Sequence, residues 1–184
     1  MISKWETIDK RIVDHLKIFE LSWVKRRHPE WNKESEFVVL NSPQWVNIIP
    51  ISKDGNVIFI EQYRHGIDEV TLEVPGGLVE AGEEPRLAAQ RECTEETGFI
   101  GPDNAILLGE NFPNPAFLDN KCFSFVWFGC ERRFNQSLDG NEDINVVEIP
   151  LDKVKNMILN GDIRHSLVLT AFFFYFLKFE TVHD

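Results

Sequence analysis

One short helix, set between strands and with both ends written into the chain, constrains the fold more than any other feature. Pro85 suits a first helical turn, where its missing amide hydrogen leaves nothing unpaired. Gly98 suits the left-handed residue that so often ends a helix. Residues 85–97 are therefore expected to be helical. Upstream, 18–24, 36–40, 45–51, 56–62 and 71–74 read as strands, with Lys53-Asp54-Gly55 a hairpin signal. Pro50 makes the third of these an edge strand or one that ends early. Downstream, 105–109, 123–131 and 146–149 read as strands, and helices at about 152–160 and 165–178, parted by Gly161, close the chain. The loop 111–120 carries two prolines and is expected to be ordered but non-repetitive. Strands around an embedded helix, with helices at the end, predict an α+β fold: an α/β/α sandwich on a mixed sheet.

The chain has 184 residues, 43% of them hydrophobic, which suits one domain with a sizeable core. Its net charge of −11 argues against nucleic acid or membrane partners unless cations intervene. Cys93, Cys122 and Cys130 form no CxxC pair or Cys/His cluster, so reduced thiols are expected. The N-terminal stretch lacks the apolar core of a signal peptide, and the apolar run 167–177 is too short to span a bilayer. A cytoplasmic location is the expectation.

The helix and the turn before it crowd six glutamates into the 23 residues from Gly77 to Phe99. At about 100° per residue, Glu92, Glu95 and Glu96 fall within an arc of about 100°. Glu92 neighbours both of the others in space, and like charges so placed weaken a helix. They also sit toward the negative end of the helix dipole. A divalent cation such as Mg²⁺ would offset this, since hard cations take carboxylate and phosphate oxygens. The alternative is a solvated acidic face tied by ion pairs such as Arg91 to Glu95. Two features favour the cation: a Pro75-Gly76-Gly77 turn that lets backbone approach a ligand closely, and Ala88 and Ala89, which leave room beside the acids.

Gly77, Glu83, Arg91, Glu92, Cys93, Glu95, Glu96, Gly98 and Phe99 resemble the Nudix box, G-x5-E-x7-R-E-U-x-E-E-x-G-U, where U is bulky and apolar. The one departure is Cys93, small but buriable. The flanking IEQYRHG, LEVPGGLVEAGE and GNEDINVVEIPLDKVKNMILNGDI resemble one branch of that family, the ADP-ribose pyrophosphatases, as does Pro115, sixteen positions after Phe99. The resemblance runs over about residues 15–180.

The resemblance implies a Nudix-type sandwich with an N-terminal antiparallel extension (residues 1–42) and a Nudix core (43–184). It also implies a homodimer in which the N-terminal strands complete the partner's pocket. The implied activity is Mg²⁺-dependent hydrolysis of ADP-ribose or a related nucleoside diphosphate sugar, with Mn²⁺ an alternative metal. Other readings are a different diphosphate substrate, such as a GDP-sugar or dinucleoside polyphosphate, or a non-catalytic nucleotide-sensing domain. The resemblance makes Glu92 and Glu96 metal ligands, Glu95 a third or bridging one, and the Gly76 carbonyl a fourth. Glu83 and Arg91 would brace the loop and orient the acids. The general base is expected in the acidic loop, among Asp139, Glu142 and Asp143, with Glu142 foremost as base, ligand or both. Arg64 would clamp phosphate, and Glu73 would hold a ribose hydroxyl or Arg64. Phe37, Trp45 and Phe117 are the candidate stacking surfaces for adenine. His65 and His165 read as ordinary polar residues.

Overall fold

The computed structural model describes residues 2–140 and 142–180. They fall into two compact units, one of residues 2–43 with Phe112–Lys121, the other of Gln44–Asn111 with residues 122–140 and 142–180.

The first unit is an antiparallel sheet of three strands, β1 (Glu6–His15), β2 (Glu20–Arg27) and β3 (Glu34–Asn41), in that order. The first strand has no counterpart in the sequence reading. Its residues are exposed along its whole length, and two register irregularities interrupt it, so no apolar alternation marks it. The proline loop joins this sheet. The Leu40 amide donates to the Phe117 carbonyl (2.8 Å), the Ser42 amide to Asp119 Oδ1 (3.1 Å), and the Asn120 side chain to the Pro43 carbonyl (3.0 Å).

The second unit is built on a mixed sheet. Its strands are β4 (Trp45–Ser52), β5 (Asn56–Arg64), β6 (Glu69–Glu73), β7 (Gly76–Leu78), β8 (Phe99–Ile100), β9 (Ile106–Asn111), β10 (Cys122–Arg132) and β11 (Ile144–Pro150). The central order is β11-β5-β4-β10-β8, with β6 on β5, β7 on β4 and β9 on β10. Only β4 and β10 run parallel to each other; the other pairs are antiparallel. Strand alternation sorts the core into two layers. Val46, Ile48, Ile58 and Phe125 face helix α1 (Pro85–Thr97) through Ala88, Ala89 and Cys93. Ile49, Ile51, Val57 and Phe59 face helices α2 (Leu151–Asn160) and α3 (Ser166–Phe179) through Val154, Val168, Ala171 and Phe172. The α/β/α sandwich expected from the element order is the one observed.

Pro50 does not mark an edge, because β4 lies between β5 and β10. Proline is tolerated there because β4 pairs with β7 over Trp45–Asn47 and with β5 at Ile51, and Pro50 falls between those contacts. The short strands β7 and β8 are likewise absent from the sequence reading. Gly76 and Gly77 signal only a turn; the structure draws that turn out into a strand against β4. A methyl group at Gly76 would run into the Val46 carbonyl oxygen, so only glycine permits the pairing. All three cysteines are free and buried, in keeping with reduced thiols.

Candidate active site

The site is assembled in the second unit from the β6–β7 turn, α1, the end of β5 and the segment between β10 and β11. Helix α1 begins at Pro85 and stops at Gly98, whose φ of 74° is left-handed and whose amide donates to the Thr94 carbonyl (2.8 Å). Its buried face is Ala88, Ala89, Cys93, Glu96 and Thr97. The alanines therefore do not border an open site. They let the helix approach the sheet closely, and the approach drives Glu96 into the interior at 4% exposure. Gly77 completes the close fit, since a Cβ there would lie 2.5 Å from Glu92 Oε1.

Arg91 is the hub of the acidic face. Its Nε and Nη2 grip both oxygens of Glu83 (3.0 and 3.1 Å), and Nη2 also donates to the Leu78 carbonyl (3.1 Å). Its Nη1 reaches Glu92 (2.9 Å) and Glu95 (3.0 Å). Glu83 in turn accepts the Glu80 amide hydrogen (3.0 Å). The ion-pair offset between Arg91 and Glu95 is thus real, and it extends to Glu83 and Glu92.

It does not extend to Glu96. Among the described residues Glu96 forms no salt bridge; its Oε2 accepts the Gly76 amide hydrogen (3.0 Å). Burial pushes its carboxyl up to about 8, against the Gly76 hydrogen bond, and the charges of Glu92 and Glu142 push the same way. Glu92 is also raised, first by burial and then by Glu95 and Glu142, despite Arg91.

Arg64, at the end of β5, makes a two-pronged contact with Glu73 of β6, Nε to Oε1 and Nη2 to Oε2, both 2.7 Å. Thr71 donates to Glu73 Oε1 (2.5 Å), and His165 Nε2 stands 3.8 Å from Glu73 Oε2. Burial alone would raise Glu73, but the hydrogen bonds and charge of Arg64 outweigh it and hold the carboxyl below its ordinary value. Arg64 feels the charges of Glu96 and Glu142 as well as its partner Glu73. Glu142 is therefore in electrostatic reach of Glu92, Glu96 and Arg64.

The segment that carries Glu142 is fastened to the end of α1. The amides of Arg133 and Phe134 donate to the Gly98 carbonyl (2.9 and 3.1 Å) and that of Ser137 to the Glu95 carbonyl (2.8 Å). The Gln136 side chain donates to the carbonyls of Glu96 (2.7 Å) and Ile144 (3.0 Å). Glu142 closes a turn with Asp139, whose amide donates to Glu142 Oε2 (2.9 Å).

This arrangement of helix, glycine turn and acids lies inside a stretch, residues 42–172, that matches the NUDIX domain family over more than half of the chain. The chain belongs to the Nudix family. Among similar proteins, a methanol dehydrogenase activator of Bacillus methanolicus is 30% identical over 134 residues, 72% of either chain. An ADP-ribose pyrophosphatase of Bacillus subtilis (strain 168) is 24% identical over 174 residues, 94% of this chain and 93% of that one. A solved structure titled as that of an ADP compounds hydrolase superposes with a TM-score of 0.81 at 23% identity, covering 95% and 94% of the two chains, which supports the same fold.

Of the residues singled out by sequence, the second unit holds Arg64, Glu73, Gly76, Glu83, Arg91, Glu92, Glu95, Glu96 and Glu142. Trp45, in the same unit, opens β4 opposite Leu78 of β7. Phe37, Pro115 and Phe117 belong to the N-terminal unit, Phe37 on β3 and the other two in the turn hydrogen-bonded to Leu40. Thr71, Gln136 and His165 were not singled out as site residues by sequence. No spacing rule marks Gln136 in its polar loop, and only the fold reveals that His165 faces Glu73.

Nudix proteins generally use divalent cations, and the residues present suit one. No ready-made group of three ligating side chains occurs among the described residues, and Arg91 pairs with both Glu92 and Glu95. The donor set is nonetheless all oxygen, and a buried carboxylate with no positive partner beside two further acids calls for a cation to remain ionised.

Proposed function

We propose that this Nudix protein hydrolyses the pyrophosphate bond of ADP-ribose or a closely related nucleoside diphosphate sugar with Mg²⁺, Mn²⁺ being able to replace it. Water adds to one phosphorus, the bridging P–O bond breaks, and AMP and ribose 5-phosphate leave. The reading is carried by one observation: Glu96 is buried on the same helix as Glu92 and Glu95, makes no salt bridge among the described residues, and is held by the amide of the Gly76 turn. The chain-long similarity to an ADP-ribose pyrophosphatase supports the choice of substrate.

In this reading Glu92 and Glu96, with Glu95 and the Gly76 carbonyl, hold the metal. When bound, the metal neutralises the diphosphate and makes water more acidic. Arg64 meets the diphosphate with Nη1, since Glu73 engages its Nε and Nη2 and fixes the guanidinium plane. Glu142 takes the proton of the attacking water. Arg91 touches no substrate; it spaces Glu92 and Glu95 and braces the turn through Glu83 and Leu78. Trp45, Phe37 and Phe117 are the aromatic candidates for stacking adenine. The protein works in the cytoplasm as a homodimer joined through its N-terminal sheet, an assembly that light scattering would reveal as twice the chain mass.

The test is a panel of ADP-ribose, GDP-sugars and dinucleoside polyphosphates assayed at millimolar Mg²⁺. ADP-ribose should be cleaved fastest. Glu96→Gln should lower kcat by about 100-fold or more, as loss of a contact that acts in the transition state does. Equal rates on every compound would overturn the substrate assignment, and an unimpaired Glu96→Gln would overturn the chemistry.

A further inference from the structure

Resting on that reading of Glu142 and Glu96, we infer that Gln136 is a positioning residue that sets the acidic loop at its working distance from the metal-binding helix. Its side-chain amide bridges two elements that no other side-chain hydrogen bond joins among the described residues. One bond goes to the Glu96 carbonyl, near the C-terminal end of α1, and the other to the Ile144 carbonyl, at the start of β11. The first acceptor belongs to Glu96, one of the two buried acids of the site. The second lies two residues beyond Glu142.

The consequence follows from loop geometry. Gln136 and Glu142 both lie in the connection from β10 to β11, between the Gln136 contact with α1 and the start of β11. The Ser137 amide fastens its near end to the Glu95 carbonyl. Ile144, paired with Gln62 of β5, fastens its far end to the sheet. Gln136 alone ties the near and far ends to each other and to α1 in one step. The carbonyls it satisfies are of the kind a helix end and a strand end otherwise leave to water. A tether of this kind shortens the free excursion and lowers the number of positions Glu142 can take. General-base catalysis is sensitive to such placement, since an error of about 1 Å can cost about 100-fold. Methionine is close to glutamine in size but has no donor, so it removes both bonds and little volume.

The test compares wild type, Gln136→Met, Glu142→Gln and the double variant on ADP-ribose. Gln136→Met should lower kcat about 10–100-fold with KM nearly unchanged. In the Glu142→Gln background the same change should have little further effect, because the group it positions is already gone. A merely structural role would instead lower the melting temperature and act equally in both backgrounds. Should Gln136→Met not fold, Gln136→Asn makes the same test, keeping the amide but one methylene short of the two carbonyls. Wild-type kcat in Gln136→Met, or multiplicative losses in the double variant, would overturn the inference while leaving the proposed function standing. A fully active Glu142→Gln would overturn the assignment of the base, and the positioning role with it.

Discussion

Arg91 carries five hydrogen bonds to four residues, and its planar fork is what lets Nε and Nη2 meet Glu83 while Nη1 turns to Glu92 and Glu95. A lysine has the charge without the fork. Arg91→Lys should therefore cost about 2 kcal/mol of stability and release the two carboxylates from their spacing; a urea titration and the kcat of the same sample would check both. The Arg64–Glu73 pair makes a different prediction, because its worth depends on pH. Glu73 is nearly fully buried, while Arg64 is partly open to solvent. In the folded protein Glu73 lies below its ordinary value of 4.5. A depressed carboxyl stabilises the fold above its unfolded value, and that contribution fades as pH falls through the folded value. Arg64→Met leaves burial to dominate and turns the shift upward. The variant should lose about 2 kcal/mol at pH 7, and part of that loss should be recovered on acidification toward pH 4.5. Denaturant midpoints at the two pH values would show the gap between variant and wild type narrowing; a gap that widens would refute the account.

At the scale of elements, Gly98 joins the two parts of the site. It ends α1 in a left-handed turn, and its carbonyl receives the amides of Arg133 and Phe134. A Cβ there would run into the Phe134 carbonyl oxygen. Gly98→Ala therefore meets two obstacles, about 1–2 kcal/mol for the left-handed backbone and a collision with the strap that leads to Gln136. We expect a loss of about 3 kcal/mol by denaturant titration, with kcat falling further than for a stability-matched core variant such as Ile58→Ala. Much of this element was legible beforehand. Pro85, Gly98 and the acids are local signals whose chemistry does not depend on the rest of the chain. The short strand β7 was not legible, because its existence depends on how near β4 comes to Gly76. Nor was β1, whose charged residues are exposed throughout and leave no apolar period to read. Pro50 misled because the rule for edge strands assumes an unbroken ladder on both sides of the strand. Gln136 and His165 gave no signal, since each matters through a partner 40 or more residues away in sequence.

For the molecule as a whole, acidity is the dominant fact: a net charge of −11, with Glu92, Glu95 and Glu96 gathered on one short helix and Glu96 on its buried face. Arg91 and Arg64 compensate part of it, and the remainder centres on Glu96, raised to about 8 by burial and by two neighbouring acids. A fold that tolerates such a remainder should be more stable when a cation supplies the missing charge. Binding only to the native state stabilises it by about 2.7 kcal/mol at a hundred times the dissociation constant. For a domain of this size that is a rise of about 5–10 °C in Tm. Thermal melts with and without millimolar Mg²⁺ should show this rise for the wild type. Glu96→Gln removes the ionisable group whose burial is costly along with the metal ligand. It should therefore melt above the wild type when metal is withheld, while gaining little from Mg²⁺. Activity and metal-free stability would then move in opposite directions in a single substitution. Glu96→Gln melting below the wild type without metal would mean that the buried acid is not a source of strain, and the case for a cation at this helix would fail with it.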